Sequence, residues 1–272
     1  MSFGKLGAMG RGMGHLGSLG SVGYRFVNPE AAAIAAAFSP APTNARKALI
    51  DNLVGGLKSA GIWSALDLFY VTAAAASQNG RVNWKNPGTF DLIEVSSPTF
   101  AADQGYTGNG SSSYLRTQYT PSTNGVNFTL NSASAWAWSR TNLASAGADL
   151  GNATAPRAFL TGRNGSDQLQ GDMNNAAASS ISTANTNSIG FYGVQRRGSA
   201  DRRLFLNGAQ VGTASGVVST SVPSVEQWVC AANATSFGTR QISVAAWGAS
   251  LSGLESSFYN AVLTYMQAIG AS

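Results

Sequence analysis

The sequence predicts a mainly β chain: a β-sandwich preceded by a Gly-rich arm and a small helical region, and closed by a C-terminal helix. Charged residues make up only 11% of the 272 residues, while 32 are glycine. This composition suits short strands joined by tight turns. Turn dipeptides such as Asn164-Gly165 and Asn207-Gly208 separate alternating apolar runs. One such run places Trp136 and Trp138 on the same face of a strand.

The first element is a Gly-rich arm, residues 1–27, in which a glycine recurs every three or four residues. The residues between the glycines are apolar, whereas those of flexible linkers are rich in serine. Glycine also loses more conformational entropy than any other residue when the chain becomes ordered. We therefore expect the arm to lie extended in a groove of a partner; a floppy tail with some apolar side chains is the alternative. The expected anchoring side chains are Phe3, Leu6, Met9, Met13, Leu16 and Leu19.

Residues 28–76 are predicted to form a helical connector. Thr43 or Asn44 can cap a helix whose apolar residues follow helical spacing, and Gly61 can end it. A second helix is expected to start near Ser64 and to carry Leu66, Phe69 and Tyr70. Their apolar faces need a surface to pack on, most simply the sandwich that follows.

Residues 77–272 are predicted to form the sandwich and its closing helix. Turn signals begin at Asn79-Gly80, and Arg203–Gly212 has the pattern of a strand, an Asn-Gly turn and a return strand. Ser252 and Glu255 have the spacing of a capping box, which makes Ser252 the N-cap of the last helix and Glu255 its third residue. Gly270 is expected to stop that helix.

Two segments carry a family resemblance: Arg203-Leu-Phe-Leu-Asn-Gly-Ala-Gln-Val-Gly212, and the closing Ala245-Ala-Trp-Gly-Ala-Ser-Leu-Ser-Gly-Leu-Glu255 with its helix. Together they resemble the concanavalin A-like lectin/glucanase superfamily, and within it the laminin-G-like domains. The resemblance covers about residues 90–270. It implies a jelly-roll sandwich for this part of the chain.

A narrower resemblance links the middle of the chain to structural proteins of tailed bacteriophages. The stretches that carry it are 62–70, 83–87, 97–100 and 103–115. It implies a virion component, such as a head fibre, a decoration protein or a tail fibre, whose arm docks on other capsid or tail proteins. By analogy we expect a homo-oligomer, with a trimer favoured.

The sequence also bears on location and cofactors. The Gly-rich start lacks the apolar segment of a signal peptide, so we expect synthesis in the host cytoplasm and a place in the virion. The apolar run 31–38 is too short to span a bilayer, so no membrane insertion is expected. The loop acids Asp103, Asp149 and Asp167 are isolated from one another in sequence, and the chain has one cysteine and one histidine. We therefore expect neither a metal nor another cofactor.

No pair of acids has the spacing that glycoside hydrolysis requires. Glycosidases hold two carboxylates at a fixed separation, and residues i and i+2 or i+4 of a strand can supply them. The nearest pair, Asp91 and Glu94, falls on opposite faces of a strand, and Asp167 and Asp172 flank a predicted turn. We therefore expect the chain not to be an enzyme.

Loop aromatics beside amide side chains are candidate sugar contacts. Trp84, in Asn83-Trp-Lys-Asn86, and Tyr106 with Asn109 fit that description. The alternative for Trp84 is that it fills the edge of the core.

An arginine-rich hairpin tip is the strongest charge feature of the sequence. Arg196, Arg197, Arg202 and Arg203 surround one aspartate between two predicted strands. Arginine forks suit sulfate, phosphate or carboxylate, so the tip could recognise an acidic surface polysaccharide or a neighbouring subunit. A solvated turn is the alternative. Nucleic-acid binding is disfavoured, since no basic helix or aromatic platform accompanies the cluster.

These observations favour a non-enzymatic phage virion structural protein that displays a lectin-like domain to touch host glycans. The alternatives are a free carbohydrate-binding lectin and a polysaccharide-degrading glycosidase.

Overall fold

The computed structural model describes Met1 and residues 23–176, 179–232 and 236–272. The anchoring side chains expected in the arm lie outside these residues: Phe3, Leu6, Met9, Met13, Leu16 and Leu19. The helices of the described residues are α1 (Pro29–Ala37), α2 (Asn44–Ser59), α3 (Ile62–Ala65), α4 (Ser77–Arg81), α5 (Pro121–Asn124) and α6 (Glu255–Ala268). None of them has the length and hydrophobicity that a membrane crossing requires.

Two antiparallel sheets enclose a shared core. In spatial order, the first sheet contains β13 (Ala209–Ser215), β12 (Asp201–Leu206), β11 (Gly190–Gly198), β6 (Ala133–Ser139), β15 (Gln241–Gly248), β4 (Gly105–Thr107) and β3 (Thr99–Ala101), and β1 (Leu66–Val71) also pairs with β15. The second contains β10 (Ile181–Ala184), β9 (Gln168–Asn175), β8 (Arg157–Thr161), β7 (Leu150–Asn152), β14 (Trp228–Val229), β5 (Tyr114–Arg116) and β2 (Ile93–Val95). The predicted fold class, a mainly β sandwich with a helical region and a C-terminal helix, is confirmed.

The first sheet is the middle of three layers, because the helices cover its other face. Strand β6 is buried on both sides. Its alanines pack into the core between the sheets, while Trp136 and Trp138 pack against α6 through Phe258 and Tyr259. The prediction that the two tryptophans share a face is therefore confirmed. The alternation of small and large side chains follows from the period of two along a strand.

The helical layer packs its apolar face onto this sheet, as expected. Thr43 caps α2, since its hydroxyl accepts a hydrogen bond from the Arg46 amide at 3.2 Å. Gly61 follows the end of α2 with φ of 75°, a left-handed conformation that glycine adopts without strain. Ile50, Val54 and Leu57 are fully buried against the first sheet and α6.

The sequence prediction of local structure fails at three places in the chain. The helix expected from Ser64 through Tyr70 is wrong: only the short α3 forms, and β1 then pairs antiparallel with β15. Leu68 and Tyr70 face the core between the sheets while Phe69 faces the helices, a strand period that pairing with β15 selects. The expected turn at Asn79-Gly80 lies within α4, and α6 starts at Glu255 with Leu254, rather than Ser252, at its N-cap.

Candidate functional site

The arginine-rich hairpin forms between β11 and β12, but two of its arginines point inward. Arg196 and Arg202 face each other in the ladder, and both are buried. Arg196 donates to the carbonyls of Met173 at 2.8 Å and Ser199 at 2.6 Å, and Arg202 forms an ion pair with buried Asp172. Burial, and then the positive charge of Arg202, lower the pKa of Arg196 to about 10.

The other two arginines lie on the opposite face and also have internal partners. Arg197 forms an ion pair with Glu255 at the start of α6, and its guanidinium lies 5.1 Å from the Phe205 ring centre. Arg203 pairs with Asp201 at 3.0 Å. The hypothesis of an anion-recognising tip is therefore corrected, because two of the four arginines are buried and the other two already pair with carboxylates within the protein.

The candidate sugar contacts are placed differently from the expectation. Trp84 and Tyr106 are 1% and 0% exposed, so neither presents a ring face to solvent. The hydroxyl of Tyr106 donates to the Glu94 carboxylate at 2.7 Å. Asn109 is exposed, but its Oδ1 accepts from the amides of three residues that follow it, at 2.8–3.0 Å, and so shapes its own loop. Of the two readings given for Trp84, the structure supports the core position, since Trp84 packs beneath the helices. The expected exposure of Tyr106 is corrected.

All twelve Asp and Glu side chains lie in the described residues, and each carboxylate accepts at least one hydrogen bond within the protein. The acids considered for a metal are among them: Asp103 pairs with Arg46, Asp149 with Arg240 and Asp167 with Arg163. No cluster of metal-ligating side chains occurs in the described ranges. Each carboxylate thus has a structural partner. The complete set is Glu30, Asp51, Asp67, Asp91, Glu94, Asp103, Asp149, Asp167, Asp172, Asp201, Glu226 and Glu255.

An open cleft of about 280 Å³ lies at the end of the sandwich where β1 begins, and we call it the Lys85 cleft. It lies between the loop after α4 and the loop around α5. Lysine, asparagine and aromatic side chains line it, a set that can donate to sugar hydroxyls and cover one face of a ring. The lining residues are Leu66, Asp67, Asn83, Lys85, Asn86, Phe90, Tyr119, Asn124, Val126 and Asn127.

A bulge in β1 builds one wall of the Lys85 cleft. The register of β1 against β15 shifts between Leu66 and Leu68, which turns Asp67 out of the ladder. The Asp67 carboxylate accepts from the Tyr119 hydroxyl at 2.8 Å and from the backbone amides of residues 126, 127 and 128 at 3.2, 2.8 and 2.9 Å. This one side chain therefore holds the facing loop in place.

The opposite wall is a strained loop. Phe90 has φ of 60°, which is rare for a bulky side chain and costs roughly 1–3 kcal/mol. Tyr70 donates to the Phe90 carbonyl at 2.6 Å, and Asn83 Nδ2 donates to the Thr89 carbonyl at 3.0 Å. These bonds hold the half-buried Phe90 ring at the cleft, edge-on to Tyr119 at 5.7 Å.

Lys85 is half-buried in this wall. Its Nζ donates to the Trp63 carbonyl and lies 4.4 Å from the centre of the Trp63 ring. Burial lowers the pKa of Lys85 to about 8. Beside it, the side-chain amide of Asn86 and the Nδ2 of Asn124 make no hydrogen bond to any described residue, so both remain available to a ligand.

The sequence pointed to the loop Asn83–Asn86 but to the wrong side chain in it. Trp84 turns inward, and its neighbours Lys85 and Asn86 line the cleft instead. Phe90, Asp67 and Asn124 gave no local signal, since they come together only when β1, the loop before β2 and the loop around α5 meet.

No family model and no curated protein matches this sequence. Among solved structures, the chain is similar to a mutant of HCR/D, with a TM-score of 0.53 and 11% identity over 75% of this chain and 53% of that one. It is also similar to Trypanosoma rangeli sialidase, with a TM-score of 0.52 and 11% identity over 80% of this chain and 39% of that one. The chain thus spans about two fifths of the sialidase and about half of HCR/D. At such identities the likeness concerns the fold, a mainly β sandwich.

Proposed function

We propose that this chain is a non-enzymatic, carbohydrate-binding β-sandwich and that its glycan site is the Lys85 cleft. The observation that carries the proposal is the composition of the cleft, in which ammonium and amide donors and the Phe90 ring line the same surface. Hydrogen bonds from Tyr70 and Asn83 hold the loop at Phe90 in its strained conformation. Binding sites need a few fixed polar groups beside apolar surface, and strain of this kind clusters at functional sites.

The absence of catalysis is proposed on the state of the carboxylates. A glycosidase needs one carboxyl group to act as acid and another to act as nucleophile or base. At the Lys85 cleft only Asp67 supplies a carboxylate, and four donors already occupy it. A general base in that state would have to give up these bonds.

The biological setting we propose is a phage virion, as a head fibre, decoration protein or tail fibre. This part rests on the resemblance of residues 62–70, 83–87, 97–100 and 103–115 to phage structural proteins and on the apolar Gly-rich arm. Deletion of residues 2–22 tests it and keeps Tyr24, Val27 and Asn28, which bind Asp51. The truncated chain should fold but should no longer assemble into particles. Normal incorporation would contradict an anchoring role for the arm.

Glycan-array binding of the full chain tests the sugar site. Phe90→Gly removes the ring and relieves the positive φ, so it should preserve the fold and weaken binding by at least about tenfold. Phe159→Ala, a half-buried aromatic that does not line the cleft, is the matched control and should bind normally. Unchanged binding by Phe90→Gly would move the site elsewhere. Release of reducing sugar from bacterial polysaccharide would replace the proposal by the glycosidase alternative.

A further inference from the structure

The positive charge of Lys85 has no carboxylate partner among the described residues. Nine of the basic side chains in the described residues form ion pairs with carboxylates, and Lys85 is not among them. Its Nζ is matched by one carbonyl and one aromatic face, both from Trp63. An ammonium group carries three donors, so donor capacity is left over at a half-buried cation.

The two acids that face Lys85 already bind other groups of the protein. Asp67 on β1 is saturated by one hydroxyl and three backbone amides, and Glu30 on α1 is paired with Lys58 at 2.8 Å. Neither lies within ion-pair distance of Lys85 Nζ. The hydroxyl of Tyr119 is bound to Asp67. A half-buried cation without a counter-ion carries a desolvation cost, and the cleft beside it is open to a ligand.

We propose that the Lys85 cleft selects acidic sugars, in which a carboxylate on the sugar ring supplies the counter-ion that Lys85 lacks. Asn86 and Asn124 then bind the ring hydroxyls and Phe90 covers an apolar face of the ring. This inference rests on the proposed carbohydrate-binding function and adds the ligand class. The acid-recognising group we propose is therefore Lys85 and not the arginine hairpin, whose four guanidinium groups already have partners within the protein.

The affinities of glucuronic acid and glucose test this selectivity directly, because the two sugars differ only in carboxylate against hydroxymethyl at one carbon. We expect the full chain to bind glucuronic acid at least about tenfold more tightly at pH 6.5, as measured by titration calorimetry and saturation-transfer NMR. A charge-assisted hydrogen bond has about this strength. Lys85→Gln should erase the difference, and Asn86→Ala should weaken both sugars equally.

The pH dependence separates a charge effect from a shape effect. Because the pKa of Lys85 is lowered to about 8, selectivity for the acid should fall roughly tenfold between pH 7 and pH 9 as the ammonium loses its proton. Lys85→Arg should retain selectivity at pH 9, since guanidinium stays charged.

Equal affinity for the two sugars, or selectivity that survives in Lys85→Gln, would overturn the inference while leaving carbohydrate binding intact. Failure of the chain to bind either sugar or any glycan on the array would overturn both proposals together.

Discussion

Asp67→Asn should destabilise the protein by about 2–4 kcal/mol although the side chain keeps its size. In the native structure Oδ1 accepts one backbone amide and Oδ2 accepts two amides and the Tyr119 hydroxyl. An asparagine amide can present oxygen at only one of these positions, so its NH₂ must face at least one N–H donor. A hydrogen bond to a charged group contributes roughly 1.5–3 kcal/mol, so one bond is lost and three lose their charge assistance.

Urea unfolding followed by tryptophan fluorescence measures this change, with Asp201→Asn as the matched control. Asp201 pairs with Arg203 at a partly exposed position, and such pairs contribute about 0–1 kcal/mol. The Asp67 variant should lose clearly more stability than the control, and it should bind glycans more weakly because the wall of residues 126–128 loosens. Equal losses in the two variants would refute the view that Asp67 organises the cleft.

Three further predictions follow from the core and the site. Arg240→Met should cost about 3–5 kcal/mol in urea unfolding, because it leaves the Asp149 carboxylate buried without its cation; a loss below about 1 kcal/mol would contradict this. Gly193→Ala should cost about 1–3 kcal/mol or more, since a Cβ there would lie 2.2 Å from Trp136 Cε3, whereas Gly165→Ala meets nothing within 4 Å and should be nearly neutral. Lys85 should react with an amine-acylating reagent at pH 7 faster than Lys47, because lowering a pKa from 10.5 to about 8 raises the neutral fraction roughly 300-fold; peptide mass spectrometry reads out the ratio, and equal rates would show that the amine is not desolvated.

Turn dipeptides and the alternation of side chains along a strand were sufficient to predict those parts of the fold that depend only on neighbouring residues. The Asn207-Gly208 turn forms as expected, with φ of 50° and 80° and with Leu206 opposite Ala209 in the hairpin. This turn chemistry is contained in two residues. The common face of Trp136 and Trp138 is likewise a consequence of strand period alone.

The failures share a dependence on distant partners. Residues 66–71 become a strand only because β15, more than 170 residues later, offers an edge for pairing. Arg202 is buried because Asp172, thirty residues earlier, lies on a strand of the other sheet. A cluster of arginines in sequence therefore predicted surface charge, whereas the fold buries Arg196 and Arg202 of the four.

The candidate site could be predicted only in part for the same reason. The loop Asn83–Asn86 stood out by composition, but which of its side chains faces solvent depends on the helices that cover Trp84. The Lys85 cleft also needs Asp67, which a bulge in β1 turns outward. Bulges of this kind leave no pattern in a single sequence.

The position of a bound glycan in a crystal structure shows whether the Lys85 cleft is the sugar site. Crystals grown with the strongest glycan-array ligand should show sugar density between Lys85 Nζ, the amide of Asn86 and the ring of Phe90. Well-defined density at another surface, such as the stacked Tyr114 and Trp228 on the second sheet, with the Lys85 cleft empty, would contradict it.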